Sequence, residues 1–326
     1  IEQLLKPFRD DITDFRLRVE SIHRDDLERH GALKNELKNL IKYKQDKYRK
    51  QDDLFVVEGV KLAEELLKSD FEILAVYATR LWIDENQDLI KQNQTSNPKS
   101  ANNISVNYDK DTTFAKSRFT ETNSRTGKSF SRNKKSDSRV GEAERSIDRT
   151  FPINEITEEE LAKISLLSTP NKVYCLARRQ KNTMSFAENG LSIVLDGIKD
   201  PGNLGTIVRL ADWYAIDRVI CSKDSVDIYN PKTVQSTMGS IFRVNVSYEN
   251  LNEFFESLPQ DYPIYGSLVE CGENIYREQL TENAILVIGS ESHGISPQIR
   301  KYITHKVNIP RFKQGNAPES LNAAIA

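Results

Sequence analysis

The chain has 326 residues, which is enough for two ordinary domains with connecting segments. Hydrophobic residues make up 38% of it, a low share that predicts that part of the chain lies outside any core. The formal net charge of −2 indicates no partner by itself. Because no apolar run reaches the roughly 18 residues that a membrane-spanning helix needs, we expect no membrane partner.

The three cysteines, Cys175, Cys221 and Cys271, lie far apart in the sequence. An odd number without any CxxC pair argues against a disulfide framework and against a zinc site. We therefore expect buried thiols, no bound metal and a reducing, cytoplasmic location.

The N-terminal part of the chain is strongly charged. Residues 1–30 form an extension whose pattern indicates no role. Residues 31–50 carry seven Lys or Arg against two acidic residues, a net charge of +5. Such a stretch suits a phosphate backbone, and it is equally typical of a solvated, charged helix face.

From residue 33 the pattern alternates between helix and strand. Leu33–Ile41 has the spacing of one helix face, Leu54–Val57 is typical of a buried strand, and an amphipathic helix is predicted through Leu62–Leu67. Ile73–Tyr77 predicts a second strand and Leu81–Ile90 a second helix. This alternation predicts a small α/β layer.

Residues 92–150 break this alternation. They are rich in Ser, Thr, Asn, Lys and Arg without any period, which predicts disorder. Regular patterns return with a helix at Glu158–Leu167 and a strand at Val173–Ala177, so the segment is predicted to interrupt one domain of residues 31–178. A tolerated surface insertion is the simpler interpretation, and contact with RNA is the alternative. A linker is predicted at residues 179–190.

Strands and helices alternate again from residue 191 to residue 326. The predicted strands are Ser192–Leu195, Arg218–Cys221, Ile264–Leu268, Ile285–Ile288 and Lys306–Ile309. The predicted helices are Leu204–Tyr214, Pro231–Met238, Leu251–Ser257 and Pro297–Tyr302. Continuous apolar runs are typical of strands that are covered on both faces, so we predict a mainly parallel sheet.

The first of three polar segments, Asp196–Gly205, follows the end of a strand. Its Pro-Gly turn leads into a helix, with Asn203 predicted as the N-cap. Arg209 shares a helix face with Gly205, whose missing side chain is expected to leave open space beside the guanidinium. An arginine near a helix N-terminus can grip a phosphate or carboxylate, although it can equally be an ordinary surface residue.

The second segment is a loop bounded by Gly289 and Gly294, after which Ser296-Pro297 is expected to start a helix. The glycine spacing is superficially that of a phosphate-binding loop, but Ile295 stands where that loop needs its lysine. No GxGxxG follows a strand, which disfavours a dinucleotide-binding domain. His293 could be a catalytic base, but a lone loop histidine is more often incidental.

The third segment runs from Val307–Pro310 through a polar loop to Pro318–Ala324, where a helix is expected to start. Three strand-to-helix loops at the carboxyl edge of one parallel sheet would converge on a ligand.

Together and in this order, the three segments resemble the motifs of the SpoU (TrmH) branch of the SPOUT RNA methyltransferases. The resemblance is carried by Asp200-Pro201-Gly202-Asn203-Leu204-Gly205 with Arg209, by Gly289, Glu291 and Gly294-Ile295-Ser296, and by Ile309-Pro310 with Ser320-Leu321-Asn322. Upstream, Lys47–Lys61 resembles the start of the family's small RNA-binding domain. The resemblance covers residues 33–91 and 151–326.

This resemblance implies a small, ribosomal-protein-like α/β RNA-binding domain followed by a SPOUT domain, whose mainly parallel sheet ends in a trefoil knot. It implies methyl transfer from S-adenosylmethionine to a ribose 2′-hydroxyl of structured RNA, ribosomal RNA rather than transfer RNA, by a homodimer that forms through the knotted domain. The alternative is an RNA-binding module without methyltransferase activity. The chain starts at Ile1 and stops at Ala326 within an apparent helix, so we expect the knotted domain to be cut short.

The resemblance also implies residue roles. The catalytic positions are Arg209, in the central role, with Asn203, Glu291, Ser320 and Asn322. The cofactor-binding positions are Ser267, Gly289, Glu291, Ile295, Ile309 and Leu321. The RNA-binding positions are Lys47, Arg49, Lys50, Lys61 and Lys232. Because a guanidinium is a poor base at neutral pH, two versions stay open: Arg209 accepts the hydroxyl proton, or it orients the reacting groups while another group takes the proton.

Overall fold

The computed structural model describes residues 31, 33–94, 151–167, 169–180, 190–216, 218–269, 272–312 and 321–326. The N-terminal extension, Cys271, Ser320 and most of the predicted insertion and linker lie outside these ranges. The first three residues of the predicted insertion, 92–94, belong to a helix that continues to Gln94. Within the described ranges, no helix is long and apolar enough to cross a membrane.

Residues 33–94 and 151–180 form a four-stranded unit. Its helices are α1 (33–40), α2 (Asp46–Asp52), α3 (Val60–Leu67), α4 (Arg80–Glu85), α5 (Gln87–Gln94) and α6 (Glu158–Ile164), with a 3-10 turn at Ile41–Lys44. Its strands are β1 (Leu54–Glu58), β2 (Ile73–Ala78), β3 (Ile153–Glu155) and β4 (Val173–Arg178), in the order β1-β4-β2-β3. Strand β4 is antiparallel to both neighbours, and β3 is parallel to β2.

Strand β1 explains how this unit builds its core. All five of its residues are buried, because successive side chains point to opposite faces and both faces are covered. Phe55 and Val57 join one hydrophobic cluster, and Leu54 and Val56 join another. The first of these clusters continues beyond the four-stranded unit.

Side-chain hydrogen bonds set the ends of two helices. Thr157 and Glu160 form a capping box that starts α6. The Asn86 amide donates to the Trp82 carbonyl over 2.9 Å where α4 ends. A single helix at Leu81–Ile90 is therefore the wrong prediction, since an asparagine that bonds to nearby backbone interrupts it.

Residues 190–326 form a seven-stranded unit. Its strands are β5 (Leu191–Asp196), β6 (Arg218–Ser222), β7 (Asn245–Glu249), β8 (Ile264–Ser267), β9 (Glu273–Asn274), β10 (Ala284–Gly289) and β11 (His305–Asn308), in the order β7-β6-β5-β10-β8-β11-β9. Its helices are α7 (Pro201–Trp213), α8 (Pro231–Thr237), α9 (Leu251–Glu256) and α10 (Pro297–Arg300), with a 3-10 turn at Ser240–Phe242. Every described strand pair in this sheet is parallel, which confirms the predicted sheet type.

Helix α7 corrects two predictions. Asp200, not Asn203, is its N-cap, because the Asp200 carboxylate accepts from the Asn203 backbone N–H over 2.9 Å and Pro201 occupies the first turn. The missing side chain of Gly205 leaves no open space. A Cβ there would lie 2.4 Å from the Ser236 Cβ and 2.8 Å from the Thr233 carbonyl oxygen, so the glycine lets α8 approach α7 closely.

We expect Gly205→Ala to lower the free energy of unfolding by about 1–3 kcal/mol, the usual cost of overpacking a tight contact. The matched control is Gly31→Ala, since a Cβ at Gly31 meets nothing within 4 Å. Chemical denaturation of both variants measures the difference. Equal stability of the two would show that α8 moves freely away from α7.

One hydrophobic cluster runs through both units without interruption. The Phe55 ring lies 4.6 Å from the Tyr229 ring, and the Phe71 ring lies 5.3 Å from the Phe242 ring, so aromatic side chains of one unit pack on those of the other. The two units therefore share a core at their contact.

Arg49, predicted to bind RNA, lies in this contact and cannot reach a nucleic acid. Its side chain is 1% exposed and donates to the carbonyls of Tyr43 and Lys44 over 3.0 Å each. It also pairs with Asp227 of the seven-stranded unit at 3.3 Å. A run of positive charge does not distinguish a buried arginine from a solvated one, so this prediction is wrong.

The described cysteines behave as predicted. Cys175 and Cys221 are free thiols with no exposed surface. Burial disfavours the thiolate and raises the pKa of Cys175 to about 12. Both residues therefore act as small core side chains.

Candidate active site

The loops after β5, β10 and β11 leave the same edge of the parallel sheet, as the sequence predicts. The Ser296 backbone N–H donates to the Asp196 carboxylate over 2.7 Å, which ties the loop after β10 to the end of β5. Ser290 and Gly294 exchange two backbone hydrogen bonds of 3.1 and 2.8 Å, so the loop between them is closed.

Gly289 is required by this closed loop. A Cβ at Gly289 would lie 2.1 Å from the carbonyl carbon of Gly294 and 2.2 Å from the backbone nitrogen of Ile295. No side chain fits there without moving backbone. The next element, α10, starts at Ser296 and Pro297 as predicted.

Three polar side chains, one from each of the three polar segments, form a hydrogen-bonded network. The Asn322 amide donates to the Asn203 carbonyl oxygen over 2.9 Å, and the Asn203 amide donates to the Glu291 carboxylate. Asn203 has its oxygen and its nitrogen both engaged, so its orientation is fixed. The structure thus brings together three of the five predicted catalytic residues, while Ser320 lies outside the described residues.

The loop after β11 ends in a single helical turn. The Asn322 carboxamide oxygen accepts from the Ala324 N–H over 2.9 Å, and the Ala326 N–H donates to the Asn322 carbonyl over 3.0 Å. Ala323 and Ala324 are buried in the shared hydrophobic cluster. Packing of these two alanines holds Asn322 against Asn203.

A cavity of about 390 Å³ opens beside this network. Its lining comes from the ends of β8, β10 and β11 and from the final turn. The lining residues are Ser267, Leu268, Val269, Ile288, Gly289, Ser290, Glu291, Gly294, Asn308, Ile309, Pro310, Arg311, Phe312, Leu321, Ala323 and Ala326.

Five of the six predicted cofactor-binding residues line this cavity: Ser267, Gly289, Glu291, Ile309 and Leu321. The sixth, Ile295, is 1% exposed and packs in a hydrophobic cluster of the seven-stranded unit instead. Asn308, at the end of β11, and Phe312, in the loop after it, also line the cavity. The motifs assigned neither residue a role, and Phe312 lies outside the motif positions.

Arg209 lies apart from the hydrogen-bonded network. It is exposed on α7, makes no hydrogen bond or ion pair with any residue that the structure describes, and is not among the lining residues. Six residues of helix separate it from Asn203, which corresponds to a rise of about 9 Å. Its guanidinium is therefore available to a ligand that extends from the cavity along α7.

Ion pairs hold the loop between β5 and α7. Lys199 pairs with Asp224 at 2.7 Å, and hydrogen bonds from Lys199 and Ser222 lower the pKa of the Asp224 carboxyl. Lys232, a predicted RNA-binding residue, lies 3.6 Å from Asp200. Lys232 is exposed, so it can exchange this partner for a phosphate.

The remaining predicted RNA-binding lysines, Lys47, Lys50 and Lys61, are exposed on the four-stranded unit. Lys50 pairs with Asp46 at 2.7 Å on the surface. His293 is exposed, and its Nδ1 lies 2.7 Å from the Ser292 hydroxyl. Within the described ranges, no group of three or more His, Cys, Asp or Glu side chains could hold a metal ion.

The fold and this edge define an α/β protein with a cavity of small-molecule size at the carboxyl ends of a parallel sheet. Residues 190–326 match the model of the SpoU rRNA methylase family, and residues 34–113 match the model of the MRM3-like substrate binding domain. The segment from residue 190 to residue 326 is thus similar to the SpoU rRNA methylase family, which confirms the predicted resemblance.

Curated relatives share this similarity over part of their length. The 23S rRNA (guanosine(2553)-2′-O)-methyltransferase of Bacillus subtilis is 27% identical over 172 residues, which are 52% of this chain and 67% of the relative. The 23S rRNA (uridine(2479)-2′-O)-methyltransferase of Streptomyces viridochromogenes is 30% identical over 148 residues, 43% of this chain and 51% of the relative. The mitochondrial rRNA methyltransferase 3A of Danio rerio is 26% identical and covers 54% of each chain. The chain spans about half to two thirds of the length of these relatives.

Solved structures match both units together. A Porphyromonas gingivalis structure, described as of the TrmH family of RNA methyltransferases, has a TM-score of 0.62 at 27% identity and covers 89% of this chain and 93% of its own. The SpoU methyltransferase AviRb of Streptomyces viridochromogenes, solved with AdoMet, has a TM-score of 0.62 at 17% identity over 89% and 93%. The similarity to AviRb establishes the fold of this chain.

Proposed function

We propose that this protein transfers the methyl group of S-adenosylmethionine to a ribose 2′-hydroxyl of ribosomal RNA. The observation that carries the proposal is the Asn322–Asn203–Glu291 network at the rim of the cavity. It joins the three family motifs at one point. The ribosomal RNA 2′-O-methyltransferases among the relatives support the same reaction.

The cavity suits S-adenosylmethionine in size and chemistry. Its volume of about 390 Å³ lies within the range of small-molecule sites. Leu268, Ile288, Ile309 and Leu321 offer apolar surface to a purine ring, and the carboxylate of Glu291 offers an acceptor to a cationic or hydroxyl group. When bound, the cofactor supplies an electrophilic methyl group on a sulfonium sulfur.

Two tasks fall to the chain's own residues. The ribose hydroxyl must be aligned with the methyl group and must lose its proton as the new C–O bond forms. Arg209, exposed on α7 and without an ion-pair partner among the described residues, binds the adjoining phosphate or the hydroxyl and stabilises the developing negative charge on the ribose oxygen. Either Arg209 also accepts the hydroxyl proton, or another group takes the proton while Arg209 orients the reacting groups. The network fixes the loops against which the cofactor lies.

The four-stranded unit holds the RNA. Lys47, Lys50 and Lys61 on this unit and Lys232 beside the motif loops present positive charge to phosphates. The match to an MRM3-like substrate binding domain supports this role. The compartment is one that contains ribosomal RNA and keeps thiols reduced, which includes the predicted cytoplasm; one relative is a mitochondrial protein.

The path of the last strands supports a trefoil knot. Strand β10 lies between β5 and β8, and β11 follows on the far side of β8, yet the chain after β11 returns to pack Asn322 against Asn203 beside β5. Such a return past neighbouring loops is what a knot at this end of the sheet requires. We propose that the knot lies between β8 and residue 326.

The active form is a homodimer through α7. Leu210, Trp213 and Tyr214 are exposed by 40%, 83% and 69%, a large apolar surface for one helix end. The surface adjoins Arg209, so a second copy docked there would complete the RNA-facing wall.

We expect Trp213→Glu to convert the dimer to a monomer, because a buried carboxylate opposes association. Light scattering coupled to size exclusion measures the mass. Leu81→Glu, at a residue 55% exposed on the four-stranded unit, is the control and should stay dimeric. If the Trp213→Glu variant dimerised with unchanged affinity, the dimer interface would have to lie elsewhere on the protein.

Titration calorimetry of S-adenosylmethionine and of its demethylated product into the protein tests the cofactor proposal. We expect saturable binding of both, lost when Leu321→Asp places a second carboxylate in the cavity. Absence of binding to the unchanged protein would instead support an RNA-binding module without methyl transfer.

A further inference from the structure

The contact between the two units contains a buried charge cluster that the proposed reaction does not use. The Asp227 carboxylate, 11% exposed, accepts from two arginines of the four-stranded unit. Arg49 reaches one oxygen at 3.3 Å, and Arg179 reaches the other at 3.4 Å. The Tyr229 backbone N–H donates to the same carboxylate over 3.2 Å.

The arginines are themselves fixed. Arg49 is held by the carbonyls of Tyr43 and Lys44. Arg179 stacks over the Tyr229 ring at 4.8 Å, and its backbone N–H donates to the Asp53 carbonyl over 3.0 Å. Buried ion pairs add little net stability compared with apolar packing. They permit few alternative arrangements of the two units, because any other arrangement leaves a charge buried without its partner.

A second polar contact lies at the opposite end of α8. Arg243 bonds to Glu65 of α3 and, at 2.8 Å, to Asp212 of α7. Between the two ends, the Gln235 amide donates to the Glu58 carbonyl, and aromatic rings pack across the contact. These contacts run from one end of α8 to the other, so they oppose sliding or tilting of one unit against the other along this helix.

The docked helix leads directly to the site. The Asn230 N–H donates to the Asp227 carbonyl over 2.9 Å, and Asn230 caps α8. Helix α8 lies in direct contact with α7 at Gly205, between Asn203 and Arg209. Any shift of the four-stranded unit at Asp227 therefore changes its position relative to the methyl-transfer residues.

We propose that the Arg49–Asp227–Arg179 cluster is a positioning device that selects the target nucleotide. It holds the RNA-binding unit at one fixed distance and angle from Arg209, so that RNA gripped by Lys47 and Lys61 presents one ribose to the site. This inference rests on the proposed function. Asp227 is a positioning residue, since its side chain is largely buried in the contact between the units and is not part of the cavity lining.

The test compares Asp227→Asn with the unchanged chain on ribosomal RNA transcripts. Truncating or neutralising one partner of a buried charge cluster weakens the contact by roughly tenfold or more. We expect KM for the RNA to rise by about that factor with kcat nearly kept, and methylation of nucleotides next to the target to reach roughly a tenth of the total. Affinity for S-adenosylmethionine should stay within about twofold.

The control is Asp84→Asn, which removes a carboxylate from an exposed pair with Arg80 and should change neither KM nor the target. Glu65→Gln loosens the opposite end of the contact and should spread the methylation in the same way. If Asp227→Asn does not fold, the Glu65→Gln variant provides the test of the positioning role.

The outcomes separate the two proposals. If the unchanged chain methylates no RNA, the result contradicts the proposed function and, with it, the positioning role. In the second outcome the unchanged chain is active, and the Asp227→Asn and Glu65→Gln variants lose stability or kcat. If both variants nevertheless keep a single target and an unchanged KM, the cluster is merely structural. Spread of the methylation sites with intact cofactor binding supports the positioning role.

Discussion

Arg209→Ala is expected to lower kcat for methyl transfer by about 10²–10³-fold while leaving the affinity for S-adenosylmethionine within about twofold. The guanidinium is exposed, unpaired among the described residues and outside the cavity lining. We therefore expect it to bind the ribose and phosphate of the RNA and to contribute nothing to the binding of the cofactor. Single-turnover assays with radiolabelled cofactor measure kcat, and calorimetry measures the affinity.

Arg209→Lys separates charge from geometry. Lysine keeps the positive charge but loses the planar, two-pronged donor, so we expect it to restore only about tenfold of the lost rate. Arg80→Ala, at an arginine with exposed partners only, is the control and should retain full activity. If Arg209→Ala retained near-normal transfer, Arg209 would have no central role.

Asn203→Ala is expected to weaken S-adenosylmethionine binding by about 10–100-fold. The substitution removes both the amide that donates to Glu291 and the carbonyl oxygen that accepts from the Asn322 amide. An unsatisfied polar group typically costs about 1–3 kcal/mol. The loops after β10 and β11 lose their connection, although the strands that carry them remain.

Asn203→Asp should be worse than Asn203→Ala at neutral pH, because it sets a second carboxylate against Glu291. Its binding should partly recover as the pH falls and the introduced carboxylate takes up a proton. Asn93→Ala, which breaks an amide-to-carbonyl bond to Leu89 far from the cavity, serves as the control. Equal cofactor affinity for all three proteins would show that the network does not shape the site.

Most of the second half of the fold follows from the sequence. Runs such as Ala284–Ile288 are apolar on both faces, and Ser296-Pro297 marks a helix start, so the strand and the helix fall within a residue or two of their predicted bounds. The strand at Asn245–Glu249 was missed because polar residues interrupt its apolar pattern. The strand at Glu273–Asn274 was missed because it has two residues.

Errors arise where a residue's role depends on a distant partner. Arg49 belongs to a basic run, and only the approach of Asp227, 178 residues later, makes it a buried contact. Gly205 was expected to leave room for a side chain of its own helix, whereas Ser236 of another helix occupies that room. Local pattern carries no information about which element packs there.

The same distinction applies to the site. The order of strand ends predicts that the three loops meet, and Ser267, Gly289, Glu291, Ile309 and Leu321 do line one cavity. The hydrogen bonds from Asn322 to Asn203 and on to Glu291 depend on how the last loop returns. That return is a property of the whole sheet and could not be predicted from motif spacing.

The most direct test of the proposed reaction is to incubate the protein with radiolabelled S-adenosylmethionine and ribosomal RNA, digest the RNA to nucleosides and identify the product by mass spectrometry. The account predicts a 2′-O-methylated ribonucleoside that disappears with Arg209→Ala and persists with Arg80→Ala. A methyl group on a base, or cofactor binding without any transfer to ribosomal RNA, would contradict it.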